Sequence, residues 1–134
     1  MGDQPFEWSQ YLELANELAT RSEEACLRSA LSRAYYYVYN LALIRAERNG
    51  FVARQGESTH SQLWRLFSQS PELECIYLSR ITLRLKEKRE KADYKPIYRR
   101  IEEEVPQVLS EAQDFAARLG RLAPRHPGSG SVRQ

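Results

Sequence analysis

Cysteine is nearly missing from this chain: Cys26 and Cys75 are the only two among 134 residues. Two thiols so far apart cannot build a zinc framework, and both fall on helical apolar patterns. Reduced core thiols are therefore expected, and with them a cytoplasmic protein. Histidine is equally scarce, with only His60 and His126. There is no metal-ligand spacing, no Ser-His-Asp set and no glycine-rich phosphate loop, so no metal and no cofactor are expected. No apolar run approaches the ~20 residues that a membrane span requires. The N-terminus is acidic and amphipathic rather than basic and then apolar, which argues against a secretory signal and against a membrane partner. No stretch alternates polar and apolar residues for long, so a sheet is not expected either.

What is present is helical periodicity. Hydrophobic residues make up 42% of the chain and charged residues 28%, with a net charge of +2, enough for a core under an ordinary polar surface. The longest uninterrupted stretch is Arg28 to Gly50, RSALSRAYYYVYNLALIRAERNG. At about 100° per residue, Leu27, Leu31, Ala34, Tyr35, Val38, Leu41 and Ala42 share one arc and form a core face. Thr20 to Glu23 reads as a capping box before it, and Gly50 as its C-terminal cap. A first helix is expected over 5–21, a third opening with a Thr59/Gln62 capping box, a fourth from Ser70-Pro71 to about Lys91 and a last one over 105–119. The fourth helix is expected to turn Leu73, Ile76, Tyr77, Ile81 and Leu85 inward, with Leu78 flanking. A further turn of helix over 97–104 fits the pattern. The fold class that follows is all-α, an antiparallel bundle of about five helices spanning 1–120, with a disordered Pro/Gly/Ser-rich tail at 121–134.

Charge is unevenly spread. Met1 to Glu24 is net −5, Arg80 to Arg100 net +6, and Glu102 to Asp114 carries five acids and no base. A basic block of this kind suits a polyanion-binding face, and it suits equally a helix balanced by acidic neighbours within the bundle.

The side of the long helix away from the core arc carries Ser29, Arg33, Tyr36, Tyr37 and Asn40. Arg33 and Asn40 are separated by two turns on nearly one stripe. A guanidinium, two phenols and an amide in a row can grip a phosphate or stack a base; they can also be a solvated bundle surface or a buried polar seam. His60, in the first turn of the third helix, has a pKa suited to acid–base work, and it also fits a capping or surface role. His126 lies in the tail and has no expected role. Arg54 and His60 form an Arg-x5-His string that crosses a loop and a helix cap, so we read it as coincidence.

Three segments in order resemble the small stand-alone proteins of the HEPN domain family. RSALSRAYYYVYN is similar to that family's R-S-A-x-S-R-A-Y-Y-x-x-[FY]-H helix, STHSQLWRLF to its T-H-S segment, and REKADY to its R-x-x-A-D-Y turn. The likeness covers roughly residues 10–118. It implies a helical bundle that pairs into a homodimer. It implies a metal-independent ribonuclease or a nucleotide- or RNA-binding protein, often in a toxin–antitoxin or defence setting beside a nucleotidyltransferase-type antitoxin. In such ribonucleases an arginine holds the scissile phosphate and a histidine moves the proton of the ribose 2′-hydroxyl. Arg33 falls on the motif arginine, but Asn40 stands where the histidine would be. An amide cannot titrate near neutral pH, so the resemblance implies binding of RNA or a nucleotide by Arg33, Tyr36, Tyr37, Asn40 and Arg89, with cleavage lost unless His60 or a tyrosine substitutes. An active ribonuclease toxin and a helical interaction partner of a nucleotidyltransferase or other effector remain the alternatives.

Overall fold

A computed structural model describes residues 3–129. Five helices follow one another: α1 (Ser9–Leu18), α2 (Glu24–Arg48), α3 (Thr59–Ser68), α4 (Leu73–Tyr94) and α5 (Ile101–Arg121). No strand occurs among the described residues, so the protein is all-α. None of these helices is long and apolar enough to cross a membrane. The axis of the molecule is α2, which packs against all four other helices. Neighbours on several sides make it bury more than one stripe. Leu27, Leu31, Ala34, Tyr35, Val38 and Ala42 are buried as their arc requires, and Ala30, Ser32, Tyr37 and Ala46 join them. The alanines keep this crowded axis thin, which lets neighbouring backbones approach.

Two arginines of α2 hold the ends of other helices. Arg28 donates to the carbonyls of Ala92 at 3.0 Å, Lys95 at 2.6 Å and Pro96 at 3.3 Å, at the C-terminus of α4, where carbonyls lack intrahelical partners. Arg45 does the same for α5 and the chain beyond it, reaching Leu119 O at 2.8 Å and His126 O at 2.9 Å. The C-terminus of α2 itself closes on Gly50 at φ 98°. Phe51 N–H donates to Ala46 O and Gly50 N–H to Glu47 O, the paired bonds of a Schellman cap.

Several local expectations are corrected. The first helix begins at Ser9, not at Pro5. Thr20 forms no capping box: its hydroxyl donates back to Glu17 O, and the N-cap of α2 is Glu23 with no side-chain bond. The cap of α3 is Ser58, which accepts from Ser61 N–H. Gln62, freed from capping, clamps the preceding loop by accepting from Arg54 N–H and donating to the carbonyls of Arg54 and Glu57. Ser70 accepts from Glu72 N–H in a turn, so α4 starts after Pro71.

The inner face of α4 is also rotated from expectation. Leu73 is 78% exposed and Tyr77 41%, while Cys75, Leu78, Thr82, Leu85, Arg89 and Ala92 are buried. That stripe has regular steps of three and four but includes a threonine and an arginine, which hide it from a reading of apolar residues alone. Thr82 meets its need for a partner by donating to Ser79 O. α4 also runs on to Tyr94 and stops at the residue before Pro96.

The expected turn over 97–104 and the last helix are joined as α5, which opens on the left-handed Arg100 and carries Pro106 within it. Glu102, Glu103 and Glu104 in its first turn complement the helix dipole. The tail is not loose over 122–129. Leu122 and Pro127 are buried, Asn49 donates to the carbonyls of Pro124 and Pro127, and His126 lies 3.6 Å from Glu72. The rest of the tail, 130–134, lies outside the described residues.

Candidate functional site

A groove of about 340 Å³ opens where α1, α2 and the end of α4 meet, lined by Trp8, Tyr11, Ser32, Arg33, Tyr36, Asn40 and Asp93. Three residues singled out on the α2 stripe, Arg33, Tyr36 and Asn40, therefore share one concave surface. The Arg33 guanidinium lies 4.6 Å from the Tyr11 ring centroid and 5.4 Å from that of Tyr36. Cation–π contact with two rings leaves the in-plane N–H groups of a guanidinium available to an oxyanion. Among the described residues Arg33 makes no ion pair, and its only hydrogen bond is a long one of 3.4 Å to Ser32 Oγ. Asn40 donates from Nδ2 to Tyr36 O at 2.8 Å, which fixes the amide and leaves its oxygen as the open acceptor.

The other expected site residues are placed differently. Tyr37 is 8% exposed and belongs to the core, where burial pushes its phenol pKa upward; it does not line the groove. Arg89 is also 8% exposed and stands behind the groove. Its guanidinium lies 5.2 Å from the Tyr35 ring and 5.4 Å from the Tyr36 ring, and its Nη1 is 3.5 Å from Asp93 Oδ2. The Nε of Arg89 has no hydrogen-bond partner among the described residues. Asp93 Oδ2 also accepts from Ser32 Oγ at 3.3 Å. Arg89 thus bears on the groove through Tyr36 and Asp93.

His60 lies beside the groove, against Tyr36 at 5.8 Å between ring centroids, and stacks on Tyr39 at 3.9 Å. Its Nδ1 is 2.6 Å from Tyr35 Oη, and that hydroxyl accepts from Trp64 Nε1–H at 3.0 Å. Tyr35 is fully buried, so its own proton needs an acceptor nearby. His60 Nδ1 is that acceptor, which assigns the imidazole proton to Nε2. Burial, followed by the charges of Arg89 and Lys86, holds the His60 pKa below its usual value, with Glu90 opposing. His60 is therefore neutral at pH 7. Arg54 of the Arg-x5-His string is exposed and has no part in this arrangement. No group of acidic, cysteine and histidine side chains that could hold a metal occurs among the described residues.

Reading the sequence missed Trp8, Tyr11, Ser32 and Asp93. The aromatic pair lies on the α1 stripe, and nothing in the chain shows which face of α2 that stripe meets. Asp93 stands in the REKADY segment, where it reads as a turn residue. Comparison with known proteins adds no relative: no protein-family model, no curated protein and no solved structure matches the chain.

Proposed function

We propose that this protein binds RNA or a nucleotide in the Arg33 groove, as a HEPN-like homodimer in a toxin–antitoxin or defence setting, without cleaving it. The observation that carries this reading is the meeting of Arg33, Tyr36 and Asn40 in one groove, with an arginine that makes no ion pair among the described residues and is flanked by aromatic rings. A guanidinium so placed suits a phosphate, and the rings of Trp8, Tyr11 and Tyr36 suit a base face. Phe6, 47% exposed, extends the aromatic wall by edge contacts to Trp8 and Tyr11. Tyr94, 73% exposed, follows Asp93 in the chain and lies 6.0 Å from the Arg89 guanidinium. Exposed aromatic residues such as Phe6 and Tyr94 favour a partner surface, as pairing of two copies requires. Asn40 supplies orientation without acid–base chemistry, and the proton-transfer share of about 10² to 10⁴ in rate is lost with the histidine.

The test is incubation of the purified protein with labelled RNA, with Arg33→Ala, Asn40→His and His60→Gln in parallel. Binding without cleavage, abolished by Arg33→Ala, is the expected result, with cleavage gained in Asn40→His. Cleavage by the parent protein, lost in Arg33→Ala and His60→Gln, would make it a ribonuclease that uses His60. No affinity for RNA or nucleotides at low salt would leave the effector-partner reading in its place.

A further inference from the structure

We propose that the groove is a site for one ribonucleotide rather than for a length of strand, and that Asp93 recognises a hydroxyl of its sugar. The inference rests on the nucleotide reading above and narrows it.

The first argument is the fate of the basic block. A surface that tracks a polynucleotide offers a run of cations to successive phosphates. Here five of the nine cations pair within the bundle, Arg84 with Glu111 at 2.9 Å, Lys86 with Glu90 at 3.0 Å, Lys88 with Glu104 at 4.0 Å, Arg89 with Asp93 at 3.5 Å and Arg100 with Glu103 at 2.8 Å, and none of the other four, Arg80, Lys91, Lys95 and Arg99, lines the groove. The groove itself is lined by one cation, Arg33, and one anion, Asp93, so it has a single group that can meet a phosphate. Its volume of about 340 Å³ stands at the low end of small-molecule sites, which begin near ~300 Å³, and accommodates about one nucleotide.

The second argument is the kind of hydrogen-bonding group left open. Asp93 Oδ2 is occupied by Ser32 and faces Arg89, while Oδ1 accepts no hydrogen bond among the described residues. The Asn40 amide oxygen likewise accepts no hydrogen bond among the described residues, while Nδ2 spends one of its two N–H groups on Tyr36 O. The groove therefore offers acceptors as well as the arginine, and a ligand that brings donors as well as an anion suits it best. Inorganic phosphate near neutral pH brings few. A ribonucleotide brings two sugar hydroxyls whatever its base, while the aromatic wall accepts any base face. Ser32 and Arg89 hold the Asp93 carboxylate in place, so a hydroxyl meets an acceptor already oriented.

Isothermal titration of the full chain with each of the four ribonucleoside 5′-monophosphates, and with their 2′,3′-dideoxy counterparts, tests this directly. At least one ribonucleotide should bind, its dideoxy counterpart at least tenfold more weakly. In Asp93→Asn, which keeps the side chain's shape, that preference should shrink at least threefold. A ten-residue oligoadenylate should gain no more than about tenfold over the monophosphate, with a salt slope near that of a single phosphate, about −0.7 to −0.9. Equal binding of ribo and dideoxy forms would overturn the role of Asp93 and leave the nucleotide reading standing. Tight, steeply salt-dependent binding of the oligonucleotide with no binding of any monophosphate would overturn the one-nucleotide site and keep the RNA reading. Failure of every probe would remove the groove reading itself.

Discussion

Replacing Tyr35 by phenylalanine removes a single oxygen from a buried hydrogen-bond chain that links α2 to α3. The Trp64 indole, 3% exposed, donates to that oxygen at 3.0 Å, and His60 Nδ1 receives the phenolic proton at 2.6 Å. Without the oxygen, the indole N–H is stranded where water does not reach, a loss of about 1–3 kcal/mol. The half-buried His60 loses one further bond, about 1 kcal/mol. The expected destabilisation is about 2–4 kcal/mol, or roughly 7–14 °C in Tm for a chain of this size. The penalty should also depend on pH. His60 titrates below its usual 6.5 in the folded protein, so above pH 6.5 it is neutral in folded and unfolded chains alike. As pH falls below 6.5 the unfolded chain takes up the proton first, and stability drops until the folded-state value is passed. Protonating the wild-type imidazole also forces Tyr35 to turn its proton toward an acceptor it does not have, which favours the neutral form. Tyr35→Phe removes that lock, so its penalty should be larger at pH 8 than at pH 5. Urea unfolding of both proteins at the two pH values measures this. A penalty under about 0.5 kcal/mol, or one equal at both pH values, would refute the assigned direction of these bonds.

Arg45→Met should release the segment after α5. It removes the bonds to Leu119 O at 2.8 Å and His126 O at 2.9 Å, and amide exchange over 122–129 should accelerate at least tenfold, about 1.4 kcal/mol of local stability; unchanged exchange would show that Asn49 and the buried Leu122 and Pro127 hold the segment alone. Gly50→Ala should cost about 1–2 kcal/mol through the left-handed backbone at φ 98°. The added carbon would meet Ser129 Cβ at an ordinary 3.6 Å, so Gly50→Asn, which tolerates that conformation better, should cost less in denaturant midpoint, and equal costs would point to crowding instead.

The sequence made the helices legible because apolar spacing at three and four residues depends only on chain geometry. It did not make their facing legible. On α4 the buried stripe runs through Thr82 and Arg89, residues whose burial depends on Ser79 O and on the Tyr35 and Tyr36 rings, partners that the apolar pattern of α4 does not reveal. Caps were misplaced for a related reason. Ser58 and Thr59 are both competent N-caps, and the choice between them was made by Gln62, which is held by the loop at Arg54 and Glu57. In the groove, the α2 stripe was legible because one helix carries it, whereas Trp8 and Asp93 come from elsewhere in the chain and meet Arg33 only through packing. Charge behaved likewise: a basic block on α4 and acids on α5 look segregated along the chain, yet Arg84–Glu111 and Lys88–Glu104 join them in space.

Four tyrosines in five residues must point in several directions, because each step around a helix turns about 100°. Tyr37 takes the core and contributes area. Tyr35 faces α3 and α4, where its hydroxyl is the node between Trp64 and His60. Tyr39 lies flat on His60 and fixes the plane of the imidazole. Tyr36 is the one that also reaches the groove, touching Arg33, Arg89 and His60 at once. The buried chain and the groove therefore share a side chain, and neither can be altered independently of the other. A cation on His60 would face Arg89 across Tyr36, and Arg89 in turn orients Asp93. The acceptor side of the groove thus depends on His60 staying neutral, which burial and the charges of Arg89 and Lys86 enforce and the Tyr35 proton on Nδ1 reinforces.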